Sequence, residues 1–162
     1  MATQRIHPTV GVPNTTIFVT ETHVNAALLM MGRAIFGGYW VYSGLNHWMH
    51  YSVMAVYTAA HGVPEPDLAV IGTGALLVTG GLSILTGLAP KIGALLIAIF
   101  LIGVTPIMHA FWNDITPAER AADLANFAKN IGLLGATFFV AAMPEPWPVS
   151  PHKRVEIEEG GK

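Results

Sequence analysis

Long apolar runs separated by short polar stretches make up most of the chain. Three of these runs cover approximately residues 24–46, 68–88 and 92–111. The fourth follows TPAE, where Thr116 can cap a helix, Pro117 suits its first position and Glu119 completes a capping box. This run continues to Pro144, which ends it. Since about 20 apolar residues cross the core of a bilayer, the pattern predicts four transmembrane helices.

The segment after the first run, HWMHYSVMAVYTAAHG, spaces its apolar residues as a helix does and ends at Gly62. It predicts a short helix in the membrane interface, with aromatic side chains at headgroup level. The alternating segment TTIFVTET, residues 15–22, could form a short strand or an interfacial clamp, but a plain mobile tail is the favoured interpretation. The predicted fold is an all-α membrane protein, a four-transmembrane-helix bundle over residues 24–143. Cytoplasmic tails are predicted at residues 1–23 and 144–162.

Composition supports the membrane prediction. The chain is 52% hydrophobic and 11% charged, whereas soluble domains carry about 25% charged residues. A formal net charge of -2 gives no basic patch and excludes nucleic acid as an expected partner. The absence of cysteine excludes disulfides and thiolate metal sites. Lys and Arg near the predicted span ends favour both termini in the cytoplasm of a multi-pass protein.

Polar side chains from three predicted helices reach one depth, at the ends of the first and third and near the start of the fourth. They are the ligand-binding candidates Asn46, His47, His50, His109, Trp112, Asn126, Lys129 and Asn130. The neutral imidazoles of His47, His50 and His109 would suit a transition metal or haem. A quinone held by one or two hydrogen bonds is an alternative, and simple interfacial anchoring of these histidines is another.

Two charged residues fall within predicted spans. Lys129 is expected to extend its ammonium towards the headgroups or to pair with Asp114 or Asp123. Arg33 is expected to be a structural anchor that reaches headgroups, Glu21, or carbonyl and hydroxyl oxygens. No triad, phosphate loop or close carboxylate pair is recognisable, so the sequence does not predict an enzyme mechanism.

The order of several motifs resembles the DoxX family of small four-helix bacterial membrane proteins. These motifs are GRAIFGGYWVYSGLNHW, HGVPEPDLAV, GALLVTGGLSILTGLAPKIGAL, PIMHAFWND, NFAKNIGLLGA and EPWP, between about Gly32 and Pro148. The resemblance implies a four-span inner-membrane bundle linked with quinone-coupled redox systems. It also implies family motif positions, without assigned roles, at Arg33, Gly44, His47, His109, Trp112, Asn126, Lys129 and Asn130. Many relatives carry a Lys near the end of the first span, where this chain has Asn46 and His47.

Two functions follow from these observations. The first is a redox-associated membrane subunit that binds a quinone, haem or transition metal at the polar cluster. The second is a non-catalytic accessory subunit of a larger respiratory or photosynthetic membrane complex, with lipid and other subunits as its partners. A small transporter ranks lowest because the chain has no recognisable internal repeat.

Overall fold

The structure is a computed structural model that describes the backbone of residues 15–148 and the side chains of residues 24–148. Within these ranges the chain forms five α-helices and no strand. The helices are α1 (Thr15–Met49), α2 (Tyr51–Ala60), α3 (Pro66–Thr86), α4 (Pro90–Met108) and α5 (Pro117–Ala142). The all-α prediction is confirmed, and α2 is the short helix expected after the first span.

The first helix begins earlier than the apolar pattern indicates. It starts at Thr15 instead of Val24, so residues 15–22 are helical and their interpretation as a strand is wrong. Adding residues to an existing helix needs no new nucleation, and this outweighs strand preferences that span only about 1 kcal/mol. The predicted N-terminal tail therefore overlaps α1, whereas residues 1–14 and 149–162 lie outside the described residues.

Proline and glycine mark the helix ends. Pro66, Pro90 and Pro117 stand at the first positions of α3, α4 and α5, where a backbone N–H would have no helical partner. Gly62 after α2 and Gly87 after α3 both have a φ of 72°, a left-handed conformation that favours glycine. The resulting connections are short, so α3, α4 and α5 pack as antiparallel neighbours in chain order.

The capping box predicted at the start of α5 is confirmed. The Thr116 hydroxyl accepts a hydrogen bond from the Glu119 backbone N–H at 3.2 Å, and the Glu119 carboxylate accepts one from the Thr116 N–H at 3.2 Å. These bonds satisfy backbone donors that the first turn would otherwise leave open. They fix where the helix that carries Asp123 and Asn130 begins.

The central helix of the bundle is α3, which packs against α1 on one side and α4 on the other, while α5 packs against α4. Tyr51 at the start of α2 donates a hydrogen bond from its hydroxyl to Asp67 at 2.7 Å, which ties α2 to the start of α3. Indole rings fill the bundle interior together with branched aliphatic side chains. The fully buried cluster is Trp40, Leu77, Ile84, Ile97, Leu101 and Trp147.

Glycines allow α1 and α3 to approach closely. A Cβ added to Gly44 would lie 2.6 Å from the carbonyl oxygen of Gly74, and one added to Gly37 would lie 2.9 Å from that of Gly81. The lower number on one helix pairs with the higher number on the other, so the helices are antiparallel. Small residues at such contacts are typical of helix pairs in lipid, where hydrophobic exclusion from water does not drive association.

The outer surface of the bundle is apolar. Exposed large side chains include Ile35 at 74%, Ile102 at 58% and Phe139 at 79%. Among the helices of the described residues, three, α3, α4 and α5, are long and apolar enough to cross a membrane. Such a surface suits lipid tails as its solvent.

Candidate ligand-binding cavity

A cavity of about 410 Å³ lies at the end of the bundle where α1 and α4 end and α3 begins. Its walls come from α1, α3 and α4, and α2 contributes Met54, Tyr57 and Thr58. From α5, Asn130 reaches the wall, and its side chain is buried with 7% exposure. The cavity therefore collects side chains from all five helices at the α2 end.

On α1, His47 contributes an imidazole to the cavity wall. Its Nδ1 lies 2.8 Å from the carbonyl oxygen of Ser43, one turn earlier in the same helix. The ring meets the Phe100 ring of α4 edge to face, with centroids 6.1 Å apart. These two contacts fix the orientation of His47, and both neighbours also line the cavity.

A second imidazole comes from His109, the residue that follows α4. Its Nδ1 lies 3.1 Å from the Asp123 carboxylate on α5, and the two side chains are 18% and 25% exposed. On α2, burial raises the pKa of Tyr57, and the negative charge of Asp123 raises it further. The Asp123 carboxylate thus acts electrostatically on residues of both α4 and α2.

Trp40 packs its indole ring into the cavity wall from α1. The ring is 2% exposed, and its Nε1–H is buried with no hydrogen-bond partner among the described residues. An indole N–H only donates, and leaving such a donor unpaired costs about 1–3 kcal/mol. The cavity region therefore contains a donor that the bundle itself does not satisfy.

Three of the eight candidate residues line the cavity: His47, His109 and Asn130. The Lys129 ammonium donates instead to the Asn126 side-chain oxygen at 3.0 Å at an exposed position, and Asp123, a partner considered for it, contacts His109. Trp112 is 51% exposed and packs against Phe127, with ring centroids 5.9 Å apart.

The remaining candidates lie near the cavity without lining it. His50 is exposed in the turn between α1 and α2, and Asn46 is half-buried. His47, His50 and His109 do not form a metal-binding group, because no group of three His, Cys, Asp or Glu residues that could hold an ion occurs within the described part of the chain. The sequence placed these histidines at one depth but did not fix the direction in which each one points.

Sequence reasoning missed several wall residues, although a signal for some was present. Trp40, Ser43 and His47 are spaced by three and four residues, so they share one face of α1. On α2, Tyr57 and Thr58 follow Met54 by three and four residues, and so these three also share one helix face. A search for polar and aromatic residues on the His47 face of α1 would have found Trp40 and Ser43.

Arg33 occupies a separate site, near the C-terminus of α3. Its guanidinium donates to the carbonyl oxygens of Ile84 at 3.2 Å, Leu85 at 2.9 Å and Pro148 at 2.8 Å. It also lies 5.7 Å from the centroid of the Trp147 ring, a cation–π contact. Of the partners expected for Arg33, the structure has backbone carbonyls, which join α1 and α3 to the segment after α5.

A model of the DoxX family matches residues 28–110, about half of the chain. The match includes α2, α3 and α4, most of the described part of α1, and therefore both cavity histidines. No curated protein and no solved structure matches the chain.

Proposed function

The chain belongs to the DoxX family, and from that premise we propose that it is a redox-associated membrane protein that binds a quinone-type molecule in the cavity beneath α2. The observation that supports this function best is the composition of the cavity wall. Aromatic and aliphatic side chains form most of it, and two imidazoles and one amide supply directed polar groups. Ligand sites of this kind usually measure about 300–1,000 Å³.

A quinone fits these groups because it combines a flat apolar ring with oxygen atoms at its edge. The ring would lie among Tyr39, Phe100 and Met108. Its oxygens would accept hydrogen bonds from donors of the wall, such as the Asn130 amide and the Trp40 N–H. The ligand would supply the two-electron chemistry, and the protein would bind and orient it. A metal ion is a poorer fit, because the described residues provide no three-ligand group for one.

We propose that α1 is a fourth membrane span beside α3, α4 and α5. It packs along α3 through the contacts of Gly37 and Gly44. Arg33 is the only charged residue of α1 after Glu21, and backbone carbonyls satisfy it inside the bundle. These hydrogen bonds offset part of the cost of placing Arg within a span, which is about 2.5–3.5 kcal/mol on insertion scales.

The orientation proposed for these spans places both termini in the cytoplasm of a bacterium. The excess of Lys and Arg on one side supports it: Arg5, Lys91, Lys153, Arg154 and Lys162 would lie inside, against Arg120 outside. The cavity would then lie near the periplasmic face of the inner membrane.

The test is a binding titration with 2-methyl-1,4-naphthoquinone. The full chain in lipid nanodiscs is titrated while tryptophan fluorescence is recorded, because the Trp40 ring lies in the cavity wall. We expect saturable quenching. Gly103→Leu should abolish the saturable part, since Gly103 lines the cavity and its Cβ would enter open space.

Gly72→Leu is the matched control. A Cβ at Gly72 also meets nothing within 4 Å, but the residue does not line the cavity. Equal quenching of both variants would mean that the probe acts from the lipid, which would contradict the proposal. A haem absorption band or stoichiometric metal in protein purified from native membranes would identify haem or that metal, instead of a quinone, as the bound group. Unliganded protein that always migrates with other subunits would favour an accessory role.

A further inference from the structure

The tautomer of His47 is fixed by its neighbour. Nδ1 lies 2.8 Å from the carbonyl oxygen of Ser43, and a carbonyl oxygen only accepts hydrogen bonds. Nδ1 must therefore carry the hydrogen. Since a neutral imidazole has a single N–H, Nε2 is left as a hydrogen-bond acceptor on a ring that lines the cavity.

The tautomer of His109 is likewise set by its neighbour, the Asp123 carboxylate. Nδ1 lies 3.1 Å from Oδ1 of Asp123, and an ionised carboxylate only accepts. In its neutral form, His109 again donates from Nδ1 and leaves Nε2 as the acceptor. Asp123 is thus a positioning residue, because it sets which nitrogen of His109 is available to a ligand.

Both imidazoles present an acceptor, and this determines which ligand they bind. The carbonyl oxygen of a quinone is itself an acceptor, so neither Nε2 can form a hydrogen bond with it. A hydroxyl group donates to Nε2 directly. We propose that the cavity selects a hydroquinone, the reduced and hydroxyl-bearing form of its ligand, over the corresponding quinone. This inference rests on the proposed function for the ring compound and adds the oxidation state in which it binds.

Other polar groups of the wall do not oppose this selection. The Asn130 amide and the Tyr57 hydroxyl each donate and accept, so they pair with either form. The buried N–H of Trp40 donates only, but a hydroxyl oxygen retains lone pairs and accepts as a carbonyl does. Discrimination therefore comes from the two histidines.

The experiment compares both oxidation states of one probe. 2-Methyl-1,4-naphthoquinone and its hydroquinone, kept reduced without oxygen, are titrated into the full chain in nanodiscs. We expect the hydroquinone to bind about 10-fold tighter, as one net hydrogen bond provides. The midpoint potential of the bound two-electron couple should rise by about 30 mV for this 10-fold preference.

Two variants test the source of the preference. His109→Phe removes one acceptor and should bring the ratio of affinities towards 1, and Asp123→Ala should do the same by releasing the His109 tautomer. Asn126→Ala is the control, because Asn126 lies on α5 as Asp123 does but does not line the cavity; this variant should leave the ratio of affinities unchanged. Nitrogen NMR of histidine-labelled wild-type protein supplies a readout that needs no ligand, with resonances assigned from His→Phe variants. We expect Nδ1–H tautomers at both positions.

The outcomes separate this inference from the proposed function. Saturable binding that Gly103→Leu blocks, with the quinone bound as tightly as the hydroquinone, would overturn the inference and leave the function standing. Nε2–H tautomers or doubly protonated rings at both histidines would overturn it as well. Saturable binding of neither form would reject the function, and the inference with it.

Discussion

Replacing Gly44 by alanine is expected to force α1 and α3 apart. The added Cβ would lie 2.6 Å from the carbonyl oxygen of Gly74 and 2.8 Å from the backbone nitrogen of Val78, whereas ordinary van der Waals contact begins at 3.4 Å. The helix backbones must therefore separate by about 0.8 Å (3.4 − 2.6). Backbone atoms of a regular helix do not move aside singly, and overpacking of this kind costs about 1–3 kcal/mol.

Gly38→Ala is the control for this prediction. A Cβ at Gly38 meets nothing within 4 Å, so this variant receives only the higher helix propensity of alanine, about 1 kcal/mol. Gly44→Ala gains the same propensity term. The difference between the two free energies of unfolding therefore isolates the close helix contact, at about 1–3 kcal/mol.

The assay is equilibrium unfolding in mixed micelles with increasing dodecyl sulfate, followed by tryptophan fluorescence. Gly44→Ala should unfold at a lower detergent fraction than Gly38→Ala, and wild type should lie between them or close to Gly44→Ala. Coincident transitions for the two variants would refute the close approach of α1 to α3. Since Gly44 lies between Ser43 and His47, probe binding should weaken in the same variant.

Three further predictions concern buried or paired polar groups. Arg33→Lys should destabilise the protein by about 1–3 kcal/mol in the same unfolding assay. The three carbonyl oxygens are contacted by three separate guanidinium nitrogens, and the single compact nitrogen of an ammonium cannot reach all of them. Trp40→Phe should cost less than Trp40→Ala, for which about 3–5 kcal/mol is expected, because Phe removes the unpaired N–H and keeps most of the packing; equal losses would contradict this. The hydrogen bond to Asp67 raises the pKa of Tyr51. This contact between α2 and α3 should therefore persist below a pH of about 10 and be lost as the pH rises through the raised pKa. Asp67→Asn should move the near-ultraviolet titration of Tyr51 to lower pH.

Helix positions followed from the sequence because their causes are local. The capping box of Thr116 and Glu119 and the glycine after α2 each depend on a few neighbouring residues, and each is found where the pattern predicts it. The early start of α1 at Thr15 was missed because the first residues of the helix have strand preferences. These preferences are weak, and extension of a long helix outweighs them.

The site was only partly predictable because depth and rotation have different causes. Span lengths set the depth of a residue, and on that basis the sequence grouped His47, His109 and Asn130. Rotation about a helix axis is set by packing against neighbours, such as the contact of Gly44 with α3. Asn46 and Lys129 differ from lining residues by one position, or about 100° around the helix, which no depth argument detects.

The contacts of Arg33 have a consequence for the order of biogenesis. Arg33 is synthesised before two of its acceptors, at the end of α3, and long before the third, at Pro148. Until the chain extends to Pro148, the guanidinium lacks this third acceptor and its contact with the Trp147 ring. A chain truncated ahead of Trp147 would leave Arg33 with carbonyl acceptors from α3 alone. The first helix thus obtains its full set of Arg33 contacts only when the final segment is complete.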